Sequence, residues 1–303
     1  MSWFDRALRG RCAISAATLL GMATIACAET SPRIGIYTSS PRTFNTASYW
    51  IEGNDGVGLI DTQFLPAEGL AAAAEAERAT GKKVVLAIVL HSNPDKFNGT
   101  AVLQARGIRV ITARPVAAAI PTVHAIRLGW FFDEYKPDYP RDPARPEVFG
   151  EKTTSIDVAG LRLRLHVLGS GCSAAHLVVQ ADDAVFTGDL VNPDNHAWLE
   201  LGLIDPWLQR LDDMRALQPK RIYPGRGKAG GIELLERQAG YLHFVQHTVQ
   251  DRTPSGALDF VSKWWLSRRI IAAYPDLGYP NFMRDGLDAV WRVEAAKQPT
   301  RRP

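Results

Sequence analysis

Residues 83–90 read KVVLAIVL, one lysine followed by seven apolar side chains without a break. A run of that length and composition reads as a buried strand. A buried strand must be covered, and its neighbours fit that need. PAEGLAAAAEAERATG (66–81) is a helix opening near Pro66 and stopping at Gly81, with proline at its first turn and glycine past its end. SYWIEGNDGVGLIDTQ (48–63) alternates apolar residues around Asn54-Asp55-Gly56 and predicts a hairpin. A short helix, GTAVLQARG, and another strand, IRVITA, follow the central run. This rhythm predicts an α/β sheet with helical layers.

The second half repeats the style. TTSIDVAGLRLRLHVLG predicts a hairpin around Ala159-Gly160, and AHLVVQADDAVFTGDLV another around Asp182-Asp183. PWLQRLDDMRALQP is an amphipathic helix, and KRIYPG a strand. Between the halves, residues 133–150 carry four prolines in ten positions. They predict a long surface connection, neither helix nor central strand, with a lid as its alternative role. From Gly231 onward the chain is helical, and Trp264, Trp265 and Trp291 are expected to anchor the core.

Four loops, each after a strand, gather polar residues: HSNPDKFNG (91–99), GSGCSAAH (169–176), TGDLV (187–191) and PGRGKAGG (224–231). Together with GLIDT (58–62), their order and spacing resemble the metallo-β-lactamase superfamily over roughly residues 45–250. The resemblance implies a four-layer αββα sandwich with a helical C-terminal extension. It also implies a site where the four loops meet. The expected organisation is a signal peptide over 1–28, the sandwich domain over 29–250, and a helical extension over 251–303 packed on it.

Carried over by position, the family's metal-ligand pattern is only partly kept. His91, Asp95 and Asp189 match ligand positions. Asn93, Lys96, Cys172 and Arg226 stand where the family has histidines. Zinc takes imidazole, thiolate and carboxylate donors. Cys172 therefore suits it when deprotonated, while Asn93 offers only an amide oxygen and Arg226 has no lone pair to give. Two carboxylates facing one pocket repel unless a positive charge intervenes. Lys96 and Arg226 are expected to supply it, with Arg226 making a two-pronged bond to one carboxylate, Asp189 first.

The other half of the site is left with one zinc at most, held by His91, Cys172 and the aspartates Asp95 and Asp189. His176 and His196 are possible accessory acids, bases or ligands. His124, His166, His243 and His247 are expected to be structural or at the surface. A Cys172–His91 thiol nucleophile is a minor alternative, and no Gly-x-Ser-x-Gly elbow is present. Two functions follow. One is a hydrolase acting on a small ester, thioester, lactone or amide, with His91, Asp95 and Asp189 at the chemistry and Lys96, Arg226 and Asn93 on substrate or oxyanion. The other is a non-catalytic binding protein whose zinc cleft is filled by an Asp–Lys–Arg cluster. β-Lactam hydrolysis itself is not expected, since the histidines holding the usual metal-bound hydroxide are replaced.

The N-terminus bears on compartment. A basic stretch, an uncharged apolar run of 17 residues and Ala26-Cys27-Ala28 form the pattern of a secretory signal peptide, predicting a periplasmic or secreted protein. An uncleaved membrane anchor and lipid attachment at Cys27 are the alternatives, and no membrane span is expected after cleavage. Three Arg against one Asp in residues 1–28 account for two of the three net positive charges. The remainder is near neutral, which gives no basic face for nucleic acid. The expected partner is a small molecule. Cys172 is the single cysteine after residue 28, so no internal disulfide can form there.

Overall fold

The computed structural model describes residues 32–297. The expected signal peptide and Cys27 lie outside them. A six-stranded sheet runs β1 (Ile34–Thr38), β2 (Ala47–Glu52), β3 (Val57–Ile60), β4 (Val84–Ile88), β5 (Arg109–Thr112) and β6 (Glu147–Val148), in that spatial order. The first three strands are antiparallel, and β3 to β6 are parallel. A five-stranded sheet is ordered β11 (Arg221–Pro224), β10 (Ala184–Gly188), β9 (His176–Ala181), β8 (Leu161–Leu168), β7 (Thr154–Val158). Only its β10–β11 pair is parallel.

The apolar run that opened the sequence reading explains the layering. Leu86 and Ile88 of β4 face Leu163, Leu165, Val179 and Phe186 in the core between the sheets. Ala87 and Val89 point the other way. They meet Ala72, Ala73 and Ala76 of α1 (Pro66–Thr80), Leu103 of α3 (Thr100–Ala105) and Val116 and Ile120 of α4 (Arg114–Tyr135). A strand buried on both faces has no use for polar alternation. The five-stranded sheet is backed by α5 (Ile204–Ala216), α6 (Glu233–Gln250), α7 (Phe260–Ala273) and α8 (Pro280–Lys297). Trp207, Leu242, Leu266, Leu287 and Trp291 form one core there with Val178, Val185 and Ile222. The result is the αββα sandwich, with the C-terminal helices built into its second outer layer. Among the described residues no helix is long and apolar enough to cross a membrane.

The predicted hairpins form where the turn residues allow. Ala159 and Gly160 both take positive φ, 53° and 75°, the geometry a tight hairpin requires. Two expectations are corrected. Residues 133–150 are not a free surface connection: Asp133–Tyr135 close α4, Tyr135 and Tyr139 are buried against Phe64, and Glu147–Val148 add an edge strand. Aromatic burial outweighs the proline spacing. Of the three tryptophans, Trp291 is buried and Trp265 borders the same core, but Trp264 is 53% exposed and anchors nothing.

Candidate functional site

The strand ends converge on one buried ionic cluster. After β3, Asp61 takes a left-handed φ of 63°, which aspartate tolerates better than most residues. Its Oδ1 accepts the Leu90 amide at 2.9 Å, fixing the exit of β4. α2 (Pro94–Phe97) then carries Asp95 and Lys96 inward. Gly99 lets this turn close on the chain: a Cβ there would lie 2.0 Å from the Thr62 carbonyl oxygen. Asp189 follows β10, and Arg226 follows β11. Between them Gly225 leaves room for the cluster, because a Cβ at that position would lie 2.1 Å from Asp189 Oδ1. The Asn-Gly and Pro-Gly dipeptides of the sequence thus answer to close approach at the site itself.

Lys96 is wholly buried, and its Nζ lies 2.9 Å from both Asp95 Oδ2 and Asp189 Oδ1. Arg226 Nη1 donates to Asp189 Oδ2 at 2.5 Å, Nη2 to Asp95 Oδ2 at 2.6 Å, and Nε to the Phe44 carbonyl at 2.9 Å. The guanidinium therefore spans the two carboxylates, one prong each, rather than gripping Asp189 alone as expected. Both prongs are charge-assisted and short. Burial pushes the Asp95 and Asp189 carboxyls up, but Lys96 and Arg226 outweigh it and hold both below the ordinary range. The same contacts keep Lys96 and Arg226 protonated against burial. Asp61, 4.0 Å from Lys96, differs: burial prevails and raises it to about 8. The two cations and two anions balance, and burial holds Asp61 toward its neutral form.

Beside the cluster, His91, Cys172 and His176 are buried with ligand atoms all within 4.8 Å of one another, a group that could hold a metal ion. His176, expected only as an accessory, takes the place given to the aspartates in the expected ligand set. The two positions differ in fitness for zinc. Between Asp95 and Asp189 an ammonium and a guanidinium stand where a cation would sit, so a metal does not fit. The trio has zinc's donor types. Its donors are otherwise engaged: His176 Nε2 accepts the Ser173 amide at 3.1 Å, and His91 bonds Ser173 Oγ through Nδ1 at 3.1 Å. Burial, then Asp189, holds the Cys172 thiol protonated. Burial keeps His91 neutral, at about 4, and His176 well below the usual histidine range. Zinc at the trio would have to displace the Ser173 amide and take the thiol proton.

Above the cluster opens a pocket of about 160 Å³. Its polar floor is Asn93, Asp95, Asp189 and Arg226, and its walls are largely aromatic, with Asn281 and Asp285 of α8 among them. Phe44 and Phe64 come from the first half, Trp130 and Phe131 from α4, Trp198 from the loop before α5, and Phe282 from α8. Arg127 of α4 also lines it, buried between Trp130 and Trp198 at 4.0 and 5.3 Å from their rings. Its Nη2 pairs with Glu200, which also accepts the Trp198 indole at 3.0 Å, while Nη1, itself buried, has no partner among the described residues. None of His91, Cys172 and His176 lines this pocket.

Sequence reasoning brought together His91, Asp95, Lys96, Cys172, Asp189 and Arg226, and the structure does so too. His196 bonds Tyr241 Oη at 3.0 Å and takes no part in the cluster. Asp61, Arg127 and Phe282 were missed as site residues. GLIDT was a signal for Asp61, whereas Arg127 and Phe282 sit in helices with nothing local to single them out.

Comparison with solved structures places the fold among metallo-β-lactamases. The metallo-β-lactamase from Pontibacter korlensis is 18% identical with a TM-score of 0.53, over 71% of this chain and 95% of that one. DIM-1 metallo-β-lactamase is 17% identical with a TM-score of 0.55, over 71% and 98%. FIM-1 from Pseudomonas aeruginosa, in its mono-zinc form, is 19% identical with a TM-score of 0.53, over 70% and 89%. A comparison with curated proteins found no match. The family model of the metallo-β-lactamase superfamily matches residues 41–226, more than half of the chain. The chain belongs to the metallo-β-lactamase superfamily, a family that usually binds zinc.

Proposed function

We propose that this protein binds a small aromatic molecule without a metal at the Asp95–Asp189 position. The observation that carries the proposal is Lys96 and Arg226 between those carboxylates, beneath an apolar pocket. Metal hydrolases need a Lewis acid or a metal-bound hydroxide at that floor. Here both carboxylates are already neutralised by groups that cannot polarise a water in that way. What the pocket offers instead is shape, with the polar side chains of Asn93, Asn281, Asp285 and Arg127 in its lining. A cavity of about 150 Å³ holds a benzene-sized molecule, and the cationic Arg127 side chain in the pocket wall would favour an acceptor on it. The ligand class is an aromatic ring bearing a carbonyl or carboxylate.

The hydrolase alternative rests on the donor set of His91, Cys172 and His176. A zinc there would supply a Lewis acid, but it would lie outside the pocket walls. Titration calorimetry with benzamide and benzoate tests the proposal. Binding is expected without added metal and should weaken at least about tenfold in Arg127→Met, the scale of a hydrogen bond to a charged group. Zinc-stimulated hydrolysis of a simple aryl ester, abolished in Cys172→Ala, would overturn it.

A further inference from the structure

We propose that the outward face of α7 docks on an anionic lipid surface. Eight large apolar side chains are exposed among the described residues, and three of them fall within five positions at the start of this helix. Phe260 is 83% exposed, Val261 67% and Trp264 53%. The spacing i, i+1, i+4 puts them on one side of the helix. Leu266 and Ile270 hold the other side in the core. Helices that bury one side and leave contiguous aromatic surface on the other mark interaction sites.

The charges around this face identify the partner. Arg268 and Arg269 continue the same helix, and Arg252 lies in the preceding turn; all three are exposed. Among the described residues none has an acidic partner. Each lies over a ring instead: Arg268 over Trp264 at 5.3 Å, Arg252 and Arg269 over Trp265 at 5.3 and 5.7 Å. Of the acidic residues nearby, Asp259 caps α7 through the Ser262 amide and Asp288 pairs with Lys263, while Asp251 and Asp276 are exposed to solvent. Exposed aromatic side chains beside arginines that lack an acidic partner suit the boundary between acyl chains and anionic headgroups. The helix would lie in that boundary, since none here is long and apolar enough to cross it.

Co-sedimentation with vesicles tests this, using residues 29–303. That chain holds the compact unit from Pro32 onward and lacks an apolar segment that would itself bind lipid. Phosphatidylglycerol-containing vesicles should bring the protein down and phosphatidylcholine vesicles should not. Affinity should fall about fivefold for each of Arg268→Gln and Arg269→Gln, the worth of one arginine near an anionic surface. It should be lost in Phe260→Ser/Trp264→Ser, whose exposed sites spare the fold; circular dichroism checks that. Equal binding to both vesicle types, or binding unchanged in the serine variant, overturns the proposal. So does a dimer abolished by the serine variant without any vesicle binding, which would assign the face to a second copy.

Discussion

Lys96 shows what the buried cluster depends on. A buried ammonium survives only when paired, and this one has a carboxylate at 2.9 Å on either side. Removing it leaves Asp95 and Asp189 with one cation between them. Lys96→Met should therefore cost roughly 3–5 kcal/mol in urea unfolding. The exposed pair Arg109–Glu147 is the control, and its loss should cost under about 1 kcal/mol. Lys96→Met/Asp189→Asn removes one charge of each sign and should recover part of the loss. Asp61 gives the pH signature. Its folded carboxyl is raised to about 8 by burial, against the pull of Lys96 and the Leu90 amide, with Asp95 and Asp189 adding to the rise. A raised acid gives stability that is whole below its unfolded value near 4 and is lost as pH climbs to about 8. Asp61→Asn should gain on the wild type across that window, and parallel unfolding curves at pH 5 and pH 8 check it. An unchanged difference would mean Asp61 is ionised throughout. At this scale, the residues of the cluster were legible because the loops that carry them could be placed by motif. Arg127 was not, because only tertiary packing leaves its Nη1 without a partner.

Elements were legible where local chemistry and tertiary need agree. The hairpin at Ala159-Gly160 and the helix ending at Gly81, where φ is 70°, follow from turn and cap residues. Residues 133–150 were misjudged because proline spacing says nothing of the buried Tyr135 and Tyr139. The role of α8 was likewise silent in sequence. It seats against the loop before α5 through Gly286, where a Cβ would lie 2.3 Å from the Leu199 backbone. One turn earlier the same helix presents Phe282 to the pocket, 5.5 Å from the Arg226 guanidinium. Gly286→Ala should cost about 1–3 kcal/mol by overpacking. Because it lifts α8, it should also weaken pocket binding, measured by the same calorimetric titration. A variant destabilised but binding normally would show that α8 does not set the pocket wall.

For the whole molecule, the superfamily's scaffold holds a buried ionic cluster where its strand-end loops meet. The four layers were legible from one apolar run and the helices around it. They depend on burying surface, which permits exchange at the loops. What the loops now do had to come from geometry, since only coordinates show a guanidinium spanning two aspartates. Near neutrality of residues 29–303 fits a cluster whose charges cancel internally rather than one that draws ions from afar. The most direct measurement is zinc content after reconstitution and desalting, in a Cys172→Ala background that disables the neighbouring trio. With Lys96 and Arg226 intact the protein should retain no zinc, and Lys96→His/Arg226→His should retain about one ion per chain, as a site of two carboxylates and two imidazoles would. Stoichiometric zinc with both cations in place would contradict the account.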